Sequence, residues 1–225
     1  MKKHQIEVLG RRNSANVQKV MWVLGELSLD YQRVDVAGSF GIPDGYEKLN
    51  PNPVVPTIKD GDLVLWESNA CVRYLAREYG AGSLWPSDPK TLAIADQWME
   101  WQRSDFSMGF FPMFMNKIRI PAAQANPAAV ERGAATCAKV IGQLDAHLAD
   151  RDYIAGDALT IGDIPLGPMI YRYLAMDIER PDLPNVQAWA ERLAERPAFQ
   201  RHVMIPFGSN PDEWNEEELK NAGIQ

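Results

Sequence analysis

Val55-Pro56 and Glu67-Ser68 flank a predicted hairpin and together hold the parts of a peptide-binding edge. Pro56 opens a short strand, Thr57 to Lys59, with Asp60-Gly61 as its turn, a place where a sheet tolerates a missing N–H. A cis Val55-Pro56 bond would face the Val55 N–H and C=O outward, free to pair with an extended ligand as an added strand does. Glu67-Ser68 follows the return strand Leu63 to Leu65. It begins a helix whose apolar residues Cys71, Tyr74 and Leu75 recur at helical spacing, which makes Ser68 the expected N-cap. A helix N-terminus attracts a carboxylate and the Glu67 carboxylate accepts from an ammonium, so one site offers partners for both charges of an amino acid. Taken alone, a Glu-Ser pair is more simply a cap and a dipole partner; its spacing from Val-Pro is what argues for a ligand.

Val55-Pro56, followed after the hairpin by Trp66-Glu67-Ser68-Asn69-Ala70, resembles the glutathione-binding segment of the cytosolic glutathione transferase superfamily. The resemblance implies that Val55, ahead of a cis Pro56, pairs with the backbone of the glutathione cysteine, and that Glu67 and Ser68 hold the γ-glutamyl end. It extends from residue 5 to about residue 205 through the turn Ile154-Ala155-Gly156-Asp157, the Thr160-x-x-Asp163 box and Glu195-Arg196-Pro197-Ala198-Phe199.

Glutathione's thiol needs activation before it attacks anything. With a cysteine pKa near 8.5 only about 3% is thiolate at pH 7, and lowering that pKa by ~2 units takes about 2.7 kcal/mol. A hydrogen-bond donor beside a helix N-terminus supplies energy of this order, and the loop from Gly10 to Asn16 precedes such a terminus. By resemblance to the serine-type, bacterial theta- or nu-like classes, Ser14 is the first candidate donor, ahead of Asn16; Asn13 offers a further amide in the same loop. The loop holds no tyrosine and no cysteine, which argues against the tyrosine-type and omega-like classes. Val54 stands where serine-type relatives often carry a lysine for the glycine carboxylate. Arg11 and Lys48 are the substitutes at hand, each more simply a solvated charge.

The elements that must position these residues are legible in outline. Ile6 to Leu9 reads as a strand, Ala15 to Leu27 as a helix and Arg33 to Val36 as a second strand; with the hairpin and closing helix they resemble the thioredoxin fold. The expected organisation is a thioredoxin-like α/β domain over 1–82, a turn-rich linker over 83–89, an all-α helical domain over 90–205 and an acidic tail over 206–225. The tail is expected to be mobile, with Trp214 its only large anchor. Leu92, Ala95, Trp98, Met99 and Trp101 mark a long helix, disturbed at Gly109 and Pro112 and ended near Pro121. Asn126-Pro127 caps a helix carrying Cys137, Thr160-x-x-Asp163 is a capping box of structural role only, and Pro184-Asn185 opens another helix.

The electrophile belongs over the Ser14 loop, where Phe110, Phe111 and Phe114 line an apolar pocket and Arg119 orients an anionic group. With a formal charge of −7 and no run of basic residues, nucleic acid is not an expected partner. No apolar run has membrane-spanning length, and Met1 to Gln5 leads into a strand instead of a signal-peptide core, so no membrane association is expected and the expected location is cytoplasmic. Cys71 and Cys137 read as packing residues, and His4, His147 and His202 lack metal-ligand spacing, so no metal is expected. The resemblance implies a homodimeric detoxifying transferase with glutathione as co-substrate. Its alternatives are a glutathione-dependent dehalogenase, isomerase or disulfide-bond reductase on the same fold, or a non-catalytic glutathione-binding or regulatory protein.

Overall fold

The computed structural model describes residues 5–225; Met1 to His4, read above as the lead-in to the first strand, lie outside the described residues. Four strands, β1 (Ile6–Leu9), β2 (Tyr31–Val34), β3 (Thr57–Asp60) and β4 (Leu63–Trp66), form one sheet in the order β2-β1-β3-β4. β1 and β2 run parallel because α1 (Ala15–Glu26) carries the chain back between them; β1–β3 and β3–β4 are antiparallel. α2 (Ser68–Tyr79) closes this thioredoxin-like unit. β2 begins two residues ahead of its expected start, because Tyr31 registers with Ile6, while Val36 stays beside the next loop through a 3.1 Å bond from the Arg11 N–H. The hairpin turn is Gly61-Asp62, one residue beyond the expected Asp60-Gly61: Asp60 pairs with Leu63, and Gly61 takes the positive φ of 59° that the tight loop requires.

Helix α1 is buried almost throughout, including Gln18 and Lys19, because it packs on α2 and β1 of its own unit and on α6 and α8 of the helical part. The helical part comprises α3 (Pro89–Trp101), α4 (Ser107–Phe114), α5 (Pro127–His147), α6 (Gly167–Ala175), α7 (Pro184–Ala194), α8 (Pro197–His202) and α9 (Pro211–Lys220). The run from Pro89 to Arg119 is not disturbed where expected: α4 keeps its helix through Gly109 and Pro112, and the wide π-type turns fall at Gln102–Phe106 and Met115–Arg119. Gly109 instead admits α5, since a Cβ there would lie 2.9 Å from Thr136 Cβ and 3.0 Å from Cys137 Sγ. Asn126 caps α5 as the sequence predicts, its Oδ1 accepting from the Ala129 N–H at 3.3 Å. Cys71 and Cys137 are buried, with burial pushing both thiols up to about 12.

Asp163 is the hub of the helical part. Its carboxylate accepts from the Ile154 N–H, the Thr160 N–H and Trp189 Nε1, each at 2.9 Å, and from Thr160 Oγ1 at 3.3 Å. The structural role expected of Thr160 and Asp163 is visible, but regular helix begins only at Gly167, after a run of turns. The expected mobile tail is a correction. α9 forms because Asn210-Pro211 repeats the Asn126-Pro127 start signal, Asn210 Oδ1 accepting from the Asp212 and Glu213 N–H groups at 3.1 and 3.0 Å. Trp214 is buried, Glu218 pairs with Arg11 at 2.7 Å, Asn221 takes the Arg12 guanidinium, and the Ile224 carbonyl accepts from Arg33 Nη2 at 2.7 Å. The tail is thus held by polar groups of the α/β unit that composition alone does not reveal.

Candidate functional site

The peptide edge is assembled as a rigid loop. Tyr46 Oη donates to the Val54 carbonyl at 2.9 Å and meets Thr57 Oγ1 at 2.7 Å, while Asn50 Nδ2 donates to both at 3.1 Å. Between these anchors the Val55-Pro56 peptide is cis, and among the described residues nothing bonds the Val55 N–H or C=O. Across the sheet, Glu67 occupies the N-cap position of α2 and Ser68 its first helical residue, one position later than expected. Glu67 holds φ at 68°, a conformation that costs a non-glycine residue of order 1–3 kcal/mol and recurs at functional sites. Its carboxylate is exposed over a cleft of about 710 Å³ that Ser68, Asn16 and Lys19 also line. Ser68 Oγ donates to Asn16 Oδ1 at 3.2 Å and accepts from Lys19 Nζ at 3.3 Å.

Ser14 caps α1 by position only. Its backbone is extended, its carbonyl accepts from the Gln18 N–H at 2.8 Å, and its hydroxyl takes no helix N–H. Ser14 lines a second cleft of about 380 Å³, between the two parts of the molecule, and no hydrogen bond among the described residues engages its Oγ. Val54, Val55 and Asn16 form one wall; Phe110, Phe111, Phe114 and Met115 form the other. Phe110 and Phe114 stack with ring centroids 5.4 Å apart, and Arg119 lies over the Trp214 ring at 4.7 Å. An unpaired hydroxyl at a helix start, beside an open strand edge and under an apolar roof, can hold a thiolate where an electrophile can reach it.

Known proteins share this fold. The glutathione S-transferase N-terminal domain family matches residues 13–78 and the glutathione S-transferase C-terminal domain family matches residues 127–192. Glutathione S-transferase GstB of Escherichia coli (strain K12) is 39% identical over 205 residues, covering 89% of this chain and 99% of that protein. The chain belongs to the glutathione S-transferase family. Glutathione S-transferase 3 of Zea mays is 34% identical, covering 92% of this chain and 97% of its own. The theta class glutathione S-transferase of Xanthomonas axonopodis pv. citri with glutathione bound superposes with a TM-score of 0.88 at 43% identity, covering 91% of this chain and all of that one. The chain is accordingly a transferase enzyme, with the α/β-plus-helical fold of that family.

Within this glutathione S-transferase, Ser14, Asn16, Val55, Pro56, Glu67 and Ser68 converge on the two clefts or the loop between them. Asn13 does not: its side chain is fully buried and lines neither cleft, because Arg172 Nη2 draws the Asn13 carbonyl inward at 2.6 Å. Asn16 spends its Oδ1 on Ser68, which ties it to the start of α2. Phe110, Phe111, Phe114 and Arg119 line the cleft as expected; Lys48 is exposed and lines neither. Among the described residues no group of His, Cys, Asp and Glu could hold a metal ion, and no helix is long and apolar enough to cross a membrane.

Two site residues escaped the sequence reading. Lys19 is buried, its Nζ donating to Ser68 Oγ and Asn69 Oδ1 at 3.3 Å and to Gln102 Oε1 at 3.1 Å, and burial pushes its pKa down to about 7 against a smaller upward pull from Glu67. Arg172 is also buried, beneath the Ser14 cleft. For Lys19 the signal was available: Gln18-Lys19 interrupts the apolar run Val17 to Leu24, and a helix apolar on all sides is buried on all sides, polar residues included.

Proposed function

We propose that this glutathione S-transferase binds glutathione along Val55 and Glu67-Ser68, holds its thiolate at Ser14, and adds it to an electrophilic carbon in the cleft beneath Phe110, Phe111 and Phe114. The Val55 N–H and C=O pair with the cysteinyl backbone of the tripeptide as an added strand would. The γ-glutamyl ammonium faces the Glu67 carboxylate. The glutamyl carboxylate accepts from the Ser68 N–H at the positive end of α2 and from the Ser68 hydroxyl, which turns to it from Asn16 Oδ1, with the Lys19 ammonium behind them. The Ser14 hydroxyl donates to the sulfur; as too weak an acid to serve as a base, it stabilises the thiolate and leaves the proton to solvent. Attack forms a carbon–sulfur bond and expels the leaving group or protonates the adduct. Glutathione is a co-substrate consumed in each turnover. Arg11 and Lys48 were the candidates for the glycine end, and of these Arg11 alone lines a cleft. The same reading makes the protein a cytoplasmic homodimer acting in detoxification, as is typical of the family.

The observation that carries this is the unpaired Ser14 hydroxyl lying in the same cleft as the unpaired Val55 backbone. Ultraviolet thiolate absorbance, titrated against pH with glutathione bound to wild type and to Ser14→Ala, tests it. The expected result is a bound-thiol pKa about 1–2 units below 8.5 in wild type that reverts in the variant. Tight binding without a wild-type shift would instead mark a non-catalytic binding protein, and no binding would remove the site assignment altogether.

A further inference from the structure

The cleft over Ser14 is apolar in its roof and cationic in its floor. Arg11, Arg119 and Arg172 all line it, and no acidic residue does, in a chain whose formal charge is −7. Only Arg11 is directly neutralised, by Glu218 at 2.7 Å. Arg172 is 3% exposed, and its Nη2 donates to the Asn13 carbonyl at 2.6 Å and Gln18 Oε1 at 2.9 Å, both neutral acceptors. No hydrogen bond among the described residues engages its Nε or Nη1, and its guanidinium lies over the Phe114, Trp214 and Phe207 ring faces at 5.3, 5.5 and 5.7 Å. Burial first, then the charges of Arg11 and Arg119, push its pKa down to about 9, so it stays protonated at neutral pH. A buried cation without a counter-charge is costly, and aromatic faces offset only part of that cost. A bound anion would complete the arrangement.

We propose that Arg172 and Arg119 form an anion site that selects electrophiles carrying a carboxylate or similar oxyanion, holding that group while the reactive carbon lies against the thiolate near Ser14. The inference rests on the glutathione transferase reading above. Arg119 supplies a fork from the cleft wall, braced on Trp214, and Arg172 supplies one from below. Glu218, through Arg11, sets how positive the cleft is. A carboxylate at this place could come from the electrophile or from the glycine end of glutathione; the proposal assigns it to the electrophile.

The test uses 4-chloro-3,5-dinitrobenzoate and its methyl ester, which differ in one charge. In each, the glutathione sulfur forms a bond to the ring carbon, the carbon–chlorine bond breaks, chloride leaves with the electron pair and the thiol proton passes to water. The readout is the ratio of kcat/KM for acid over ester, measured beside the Kd of glutathione. Wild type is expected to favour the acid. Arg119→Gln should lower the ratio about tenfold or more, the effect of one charge-assisted bond, and Glu218→Gln should raise it about two- to fivefold. Arg172→Met should abolish the preference; because it also frees the Asn13 carbonyl, it is scored only with a cooperative melt, and the Arg119 and Glu218 variants stand without it. An unchanged ratio in both of those variants, with the ester turned over normally, overturns the proposal and leaves the transferase intact. A loss of glutathione affinity in Arg119→Gln that vanishes with the glycine-esterified tripeptide also overturns it, assigning the site to glutathione itself. Turnover of neither compound, with no glutathione binding, would instead sink the transferase reading and this one with it.

Discussion

Asp163 and Arg172 are both buried charges on the helical side of the molecule, and their surroundings are opposite in kind. Asp163 sits away from either cleft with four donors on its two oxygens. Arg172 has two neutral acceptors, both on one nitrogen, and a cleft in front of it. A buried charge whose partners are all supplied by the chain specifies the fold; one whose partners are incomplete, beside an opening, specifies a ligand. Lys19 stands between them, with each of its three N–H donors bonded but its charge unpaired. Its three bonded acceptors are neutral amide and hydroxyl oxygens, and it too lines a cleft.

The contrast can be broken most forcefully at Asp163. Asp163→Asn would turn an amide N–H toward groups that themselves donate, and should lower stability by about 3–5 kcal/mol in urea unfolding, with glutathione affinity nearly unchanged below the melting temperature. Burial raises the Asp163 carboxyl from 3.8 to about 6, so its folded-state advantage is full below the lower value and lost as pH rises through the higher. That slope should be absent from the variant. If Asp163→Asn lost ligand affinity while keeping its stability, the division between the two kinds of charge would be wrong.

Glu67 gives the next largest effect, and in binding instead of folding. Glu67→Ala should weaken glutathione binding by roughly 1.5–3 kcal/mol, about ten- to hundredfold in Kd by calorimetry. Glu67→Gly should lose the same affinity yet melt higher than Glu67→Ala, because glycine adopts the φ of 68° without penalty. Equal melting temperatures for the two would show that the backbone there is not strained.

Lys19 sharpens the comparison with a smaller signal. Its pKa of about 7 lies below the 10.5 of an exposed lysine, so wild-type stability should fall as pH drops from about 10 towards 7, where the unfolded chain takes up a proton that the folded chain refuses. Lys19→Met should lack that loss. A bound carboxylate favours charged Lys19, so the affinity for S-methylglutathione, which has no thiol to titrate, should fall several-fold more between pH 6 and pH 9 in wild type than in Lys19→Met, where only the ligand's own ammonium titrates. An equal fall in both proteins would detach Lys19 from the ligand.

The sheet, most of the helices and the edge at Val55 were legible because each rests on local signals: the apolar run of β1, Pro56 at the start of β3, Asn126-Pro127, and the glycine of the hairpin. Boundaries slipped where register decided them, as at β2 and Ser68. Asn13 was misjudged because loop membership does not say which way a side chain turns; Arg172, far along the chain, sets that direction. Arg172 itself was invisible for the same reason. An arginine in Ile170 to Leu174 reads as the polar edge of a helix until another part of the chain packs over it.

Helix α9 supplies Trp214 to the Ser14 cleft and pairs Glu218 with Arg11, while Val55, Glu67 and Ser68 lie outside its reach. It is continuous in sequence, begins at its own cap and contributes nothing to the sheet. In engineering terms it is an exchangeable cassette. Grafting a different terminal segment after Phe207, with a partner for Arg11 kept in place, would retarget which compounds the cleft accepts without rebuilding the Val55 and Glu67-Ser68 edge.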